Sequence, residues 1–252
     1  MRFACLGSGS RGNATLVEEG ATTLLVDCGF SVRETERRLA RLGKQAGELA
    51  GILVTHEHSD HVAGVAKLAR KHALTVWTTR GTWASHADAA VPSVTYVDCH
   101  ECFAIGDLEI QPFPVPHDAR EPAQFVFRNG AVGLGVLTDA GCITPHMTRV
   151  LAGCEALLIE CNHDEQLLAE GDYPVSLKQR VGGRFGHLSN RQAGELLSSL
   201  AHDGMSHVVA AHLSDTNNTP AHARKALSMA LGCEQEWIGV AAQDAGLDWR
   251  EL

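Results

Sequence analysis

Between residues 55 and 61 the chain reads Thr-His-Glu-His-Ser-Asp-His, which sets four potential metal ligands within six residues directly behind the apolar run Gly51–Thr55. Burying such a cluster without a cation is expensive, so a fold that covers it has to supply an ion. In an extended loop His56 and His58, two residues apart, fall on one side and can share one ion. Asp60 and His61, at the start of the helix expected next, can turn toward a second. Three more residues of the right type lie just past strand-like runs: His117 in Val115-Pro-His-Asp118, Asp139 behind Val132–Leu137 and His212 behind His207–Ala211. Side chains at the ends of neighbouring strands can converge. Two ions need a bridging carboxylate, and Asp139 is the natural one.

The remaining chemistry is thinner. The 14 histidines among 252 residues are unusual, and His is the commonest metal ligand. Eight cysteines include one close pair, Cys99-His-Glu-Cys102, but a single CxxC without a second is a weak zinc signal and reads as packing. A net charge of −9 counts against a protein that grips nucleic acid over its whole surface, though not against a local patch. One acid-free window holds Lys178, Arg180, Arg184 and Arg191. With 44% apolar and 20% charged residues the composition is globular. No apolar stretch approaches the ~20 residues that a bilayer needs, and no secretory signal is visible. A cytoplasmic protein without membrane contact is expected.

Along the chain no repeat, low-complexity tract or long linker appears, and one continuous domain over residues 1–252 is the simplest account. Residues 2–6 read as a strand, and 14–17 and 22–26 as a hairpin turning at Glu18-Glu-Gly20. Ser31-Val-Arg-Glu34 fits a capping box that opens a helix ended by Gly43. Val62–His72 reads as one helix. Further β-like runs are 51–55, 75–78, 94–97, 108–113, 124–127, 132–137, 156–160 and 207–211, with helices at 145–152, 190–200 and 220–230. A mixed-sheet α/β protein with helices outside is expected.

Gly7-Ser-Gly-Ser-Arg-Gly12 satisfies the dinucleotide fingerprint GxGxxG, but the residues from Asn13 onward are β-prone rather than helical, so the context fails. A Gly/Ser loop can still offer N–H groups and hydroxyls to an anion, which makes Ser8, Ser10 and Asn13 substrate-contact candidates.

Taken together, Asp27 after an early strand, HxHxDH at 56–61, His117, Asp139 and His212 resemble the metallo-β-lactamase-fold superfamily along the whole chain. The resemblance implies a four-layer αββα sandwich with a dinuclear site on the edge shared by two sheets, and Asp27 holding the histidine loop without touching metal. In that superfamily the diiron redox branch replaces the second His by Glu, so His58 argues against redox chemistry. Gly7–Asn13, Tyr173-Pro-x-x-Leu-Lys-Gln-Arg180, Gly186-His-Leu-Ser-Asn190 and His212-Leu-Ser-x-x-Asn-Asn218 look like the YycJ/WalJ group, related to ribonuclease J and the cyclic phosphodiesterases. That group implies a metal-dependent phosphodiesterase of the 5′ to 3′ DNA exonuclease type, with DNA ahead of RNA. Only 73 residues separate Asp139 from His212, too few for the large insert domain of ribonuclease J-like nucleases.

With that ligand set, His56, His58 and His117 are expected on one divalent ion and Asp60, His61 and His212 on the other, Asp139 bridging. Zinc and manganese both suit these donors, and iron is compatible. Ions so held generate hydroxide at neutral pH and neutralise phosphate charge. Asp60 is thereby catalytic, and His187 is the candidate general acid for the leaving oxygen. Lys178 and Arg184 are candidate phosphate contacts, as are Asn217 and Asn218. The alternative is a hydrolase of a small cyclic phosphodiester, thioester or lactone, favoured by the negative net charge. The sequence is silent on oligomeric state.

Overall fold

Strands form where the sequence shows apolar runs, and in the computed structural model, which describes residues 1–88 and 90–252, most of these are buried on both faces. The first seven in chain order are β1 (Arg2–Gly7), β2 (Ala14–Glu19), β3 (Thr22–Val26), β4 (Gly51–Leu53), β5 (Thr75–Thr78), β6 (Ser93–Tyr96) and β7 (Phe103–Ile105). Then come β8 (Leu108–Pro114), β9 (Ala123–Arg128), β10 (Gly133–Leu137), β11 (Ala156–Glu160), β12 (His207–Ala211), β13 (Gly239–Val240) and β14 (Leu247–Glu251). They make two seven-stranded sheets, ordered β14-β1-β2-β3-β4-β5-β6 and β13-β12-β11-β10-β9-β8-β7. Each sheet is antiparallel on one side and parallel on the other: β3 to β6 run parallel in the first, β10 to β13 in the second.

The period of two along each strand assigns its side chains to layers. Phe3, Cys5, Leu24, Val26 and Leu53 meet Ile110, Phe125, Phe127, Val136, Leu158 and Val209 in a core between the sheets. Their sequence neighbours point outward. Ala4, Leu6, Leu25 and Ile52 pack with Leu39 of α1 (Val32–Arg41) and Leu68, which lies beyond α2 (Ser59–Val62) on α3 (Val65–His72). On the far side Leu157, Ile159, Val208 and Ala210 pack with Met147, Leu196 and Leu227. After α4 (Arg80–His86), the helices carrying these are α5 (Pro145–Leu151) and, past α6 (Glu165–Glu170) and α7 (Val175–Val181), α8 (Asn190–Leu200) and α9 (Pro220–Leu231). The result is the expected αββα sandwich, each large apolar side chain removed from water contributing about 1.5–3 kcal/mol.

Helix ends follow local chemistry. Ser31 Oγ accepts from Glu34 N to open α1, Ser189 and Gln192 form a reciprocal capping box on α8, and Thr219 with Pro220 opens α9. Glu34 does not close a capping box at Ser31, because Arg37 and Arg38 take its carboxylate. The helix expected over Val62–His72 is instead split, since Gly64 N donates to Cys28 O and a Cβ at Gly64 would collide with Cys28 Sγ at 2.7 Å. Glycine there lets the histidine loop turn against β3. The GxGxxG segment joins β1 to β2, strand to strand, as its flanks require. No helix among the described residues is long and apolar enough to cross a membrane.

Candidate metal centre

The carboxyl ends of the parallel strands of both sheets meet at one edge of the sandwich, where open α/β sheets place ligands. Asp27 follows β3, Thr55–His61 follows β4, His117 follows β8, Asp139 follows β10, Glu160 ends β11 and His212 follows β12. Asp27, Asp139 and His212 have φ of 61°, 53° and 53°; among the described non-glycine residues only Ala73 shares that sign. The left-handed turn redirects each side chain from the sheet into the edge cleft.

The side chains converge in overlapping groups. His56, His58 and His117 offer donor atoms within 4.8 Å of one another, and so do Asp60, His61 and His212; Asp139 joins His56 and His61 in a third group and Glu160, His187 and His212 in a fourth. The outer ring nitrogens of the buried histidines are occupied. His61 Nδ1 lies 2.7 Å from Asp27 Oδ2, His117 Nδ1 2.9 Å from Gly186 O, and His212 Nδ1 3.2 Å from Glu160 Oε1. Thr55 Oγ1 donates to Asp27 Oδ2 (2.8 Å), so it accepts from His56 Nδ1 at 3.0 Å. Each Nε2 is thereby turned inward to the cleft, the arrangement by which outer partners orient metal-bound imidazoles. His117 Nε2 lies 3.2 Å from His58 Nδ1, and His212 Nε2 and His61 Nε2 each lie 3.4 Å from Asp60 Oδ2.

A divalent cation fits this donor set. His56 Nε2 and Asp139 Oδ2 are buried without a hydrogen-bond partner, although both residues are at most 2% exposed. Orphaned lone pairs of this kind cost about 1–3 kcal/mol each unless an ion takes them. Electrostatics agrees. Burial opposes the charged form of His61, but Asp139 and Asp27 outweigh it and push its pKa well above the usual range; at His212 Asp139 and Asp60 do the same. Burial, with His61 alongside, pushes His56 well below that range, and burial also lowers His117. Burial raises Asp60 and Asp139 in isolation, yet the facing histidines hold both carboxyls well below normal. Positive charge is therefore favoured in the pocket of Asp60, His61 and His212, while bare neutral imidazoles face it from the other side.

Asp27, with Thr55 N (2.8 Å), Thr55 Oγ1 and His61 on its carboxylate, fastens the histidine loop. His187 stands in the cleft, 21% exposed at its side chain, with Nδ1 2.8 Å from Glu160 Oε1 and its ring stacked on His212 at 5.3 Å. Burial disfavours its charge, but Glu160 raises its pKa overall.

Other expected contacts fall elsewhere. Ser8 is buried, donates to Asn13 Oδ1 (3.2 Å) and accepts from His212 N (2.8 Å). Asn13 N donates to Asp60 O (2.8 Å), and its Nδ2 approaches Asp60 Oδ2 (3.2 Å) and His61 Nε2 (3.1 Å). Both residues are spent on holding ligands and correct the substrate-contact expectation; Ser10 alone of the three is exposed. Asn217 and Asn218 are corrected likewise: Asn217 is fully buried, and Asn218 Nδ2 donates to Cys161 O (2.7 Å) while the pair with Asn190 closes around it. Lys178 donates to Ala169 O (2.6 Å) and Arg184 is exposed on the α7–α8 connection. No cysteine belongs to a potential metal group among the described residues, and all eight are free.

Two site residues were not anticipated. Glu160, fully buried, accepts from Ala140 N (2.9 Å), Leu188 N (3.0 Å), His187 and His212. Asp118 Oδ1 lies 3.4 Å from His117 Nε2, and its Oδ2 accepts from Arg180 Nε at 2.6 Å. A carboxylate closing the otherwise apolar run Ala-Leu-Leu-Ile-Glu160, and one directly after a ligand histidine, were the available signals.

Comparison with known proteins bears on this arrangement. Residues 22–213 match the family described as Beta-lactamase superfamily domain. The chain is 36% identical over 248 residues to exodeoxyribonuclease YycJ of Bacillus anthracis, covering 95% of this chain and 92% of that protein. It is 33% identical over 223 residues to exodeoxyribonuclease WalJ of Streptococcus pneumoniae, covering 86% and 83%. The solved structure of zinc-bound PqqB from Methylobacterium extorquens shares the fold at a TM-score of 0.76 and 19% identity, over the full length of both chains.

Proposed function

The chain belongs to the beta-lactamase superfamily and, within it, to the YycJ/WalJ family, and from that premise we propose that it is a two-metal phosphodiesterase that shortens DNA from 5′ ends. Its chemistry is that of a metal-dependent hydrolase. The observation that supports the two-metal reading is the convergence of seven ligand candidates in overlapping groups that Asp139 links, with Oδ2 3.1 Å from His61 Nε2 and Oδ1 3.9 Å from His117 Nε2. The names of the two relatives support DNA as the substrate.

His56, His58 and His117 would hold one divalent ion, Asp60, His61 and His212 the other, and Asp139 would reach both. Zinc, which PqqB binds, and manganese both suit imidazole and carboxylate donors. Bound there, such ions supply water acidified toward a pKa of ~7 and neutralise charge on the phosphate oxygens. The protein's own part is orientation and proton delivery. Asp27, Glu160, Thr55 and Gly186 O hold the imidazole planes, and Asn13 holds Asp60. Glu160 fixes His187 through Nδ1, so its Nε2 can hand a proton to the oxygen leaving phosphorus. Exposed Arg184, with Lys178 on α7, is the candidate contact for the strand's phosphates.

The test is hydrolysis by zinc- or manganese-reconstituted enzyme of a 5′-labelled DNA duplex, an RNA strand and bis-p-nitrophenyl phosphate in parallel, with Asp60→Ala as blank. Stepwise nucleotide release from DNA, absent in the blank, is expected. Cleavage of the small diester alone would overturn the nuclease reading in favour of a small-molecule phosphodiesterase.

A further inference from the structure

Beside the metal centre the chain displays an aromatic ring for which its own fold has no use. Phe185 is 62% exposed, although covering such a side chain is worth about 1.5–3 kcal/mol. The backbone that carries it is fixed at every step. Phe185 O accepts from Asp118 N (2.9 Å), Gly186 O accepts from His117 Nδ1 (2.9 Å), Gly186 N donates to Gly183 O (2.9 Å) and His187 N donates to Val181 O (2.8 Å). The segment is also pressed against Gly141, where an added Cβ would lie 2.5 Å from both Arg184 O and Gly186 N. The exposed ring therefore stands on a rigid loop, two residues from His187, tied through both neighbouring carbonyls to residues of the cleft. Cations flank it: Arg184 is exposed next to it, and Arg180, exposed at the end of α7, is held toward the cleft by Asp118.

A fixed, solvent-facing aromatic beside cations is what a nucleic-acid strand uses for sequence-tolerant binding, because every base has a face to stack. We propose that Phe185 is a nucleobase platform: the base of the 5′-terminal nucleotide stacks on its ring while Arg180 and Arg184 take phosphates, which sets the scissile phosphate over the metal centre. The proposal rests on the nuclease reading and deepens it. It makes binding depend on the presence of a terminal base and not on which base it is.

The experiment compares kcat/KM of manganese-loaded wild type, Phe185→Ala and Phe185→Trp on DNA whose 5′-terminal nucleotide is either intact or abasic. Quenching of 2-aminopurine at that position on binding is read in parallel. Wild type should lose roughly 5- to 100-fold on the abasic end, the range stacking on an aromatic supports. Phe185→Ala should show that loss already on the intact end, with no further drop on the abasic one and little quenching, and Phe185→Trp should restore both. A Phe185→Ala enzyme that keeps wild-type discrimination and quenching would overturn the platform while leaving the nuclease reading standing. Wild type that cleaves neither DNA but turns over bis-p-nitrophenyl phosphate would overturn the nuclease reading and the platform with it.

Discussion

Removing the carboxylate of Asp27 would cut three hydrogen bonds at once and leave His61 free to rotate. Asp27→Asn keeps the size and one acceptor, so it tests orientation alone: divalent-metal affinity should fall about 10- to 100-fold, read by competition with a chelating dye. Affinity equal to wild type would mean that packing alone orients the ring. His187→Ala separates proton delivery from metal binding. Its turnover of DNA should drop about 10²- to 10⁴-fold, whereas bis-p-nitrophenyl phosphate, with a leaving group that needs no proton, should be hit far less at unchanged metal content. Equal losses on both substrates would remove His187 as the acid. That these side chains would converge was legible, since HxHxDH and three strand-end residues are chemistry written as spacing. Glu160 was not, because its partners come from residues 140, 187, 188 and 212, and only the assembled edge shows how they saturate it. Ser8 and Asn13 misled for a related reason: polar residues on a glycine loop look available until the loop is seen folded down on Asp60.

Helix α1 is joined to the first sheet by a buried cation. Arg38 is 6% exposed, donates to Leu6 O (2.7 Å) and Gln243 O (2.9 Å) and lies over the Phe30 ring at 4.2 Å. Arg38→Ala leaves those carbonyls unpaired and should cost about 2–4 kcal/mol, measured by denaturant unfolding of the metal-loaded protein. The same helix sets a pH dependence. Arg37 and Arg38 hold the Glu34 carboxyl down to about 2, below its unfolded value, so its stabilising contribution is complete above about pH 5 and is lost as pH falls toward 2. Glu34→Gln should therefore lower Tm at pH 6–7, the gap narrowing at pH 3 and, because the pair is partly exposed, in high salt. A gap independent of pH would point to packing instead. Among the elements, α1, α5, α8 and α9 were readable because a capping residue meets an apolar stripe. Thr79 and Asp164 cap α4 and α6, but these helices and α7 are too short to show an apolar stripe, and β7, β13 and β14 are no more distinctive; β14 forms only because β1 offers it an edge, which is tertiary information.

For the molecule as a whole, the centre draws Asp27 and residues 56–61 from one sheet and His117, Asp139, Glu160 and His212 from the other. Ions bound there would join the two sheets at their edge. Chelation should lower Tm by about 5–10 °C per site initially held at 100-fold excess over Kd, and added zinc should restore it, both read by calorimetry. An unchanged transition would mean that the bound state is no more stable than the bare fold.

The left-handed turns at Asp27, Asp139 and His212 carry an implication for anyone engineering this chain. An L-residue held there gives up roughly 1–2 kcal/mol that glycine would keep. A library screened for heat resistance alone, in the presence of a chelator, should therefore enrich glycine at positions 139 and 212 but not at 27, where the three hydrogen bonds lost with the carboxylate outweigh the gain, and every such winner would be a robust, silent protein. Selection on this scaffold has to include turnover at each round, since its most accessible routes to hardiness run through the residues that give it work to do.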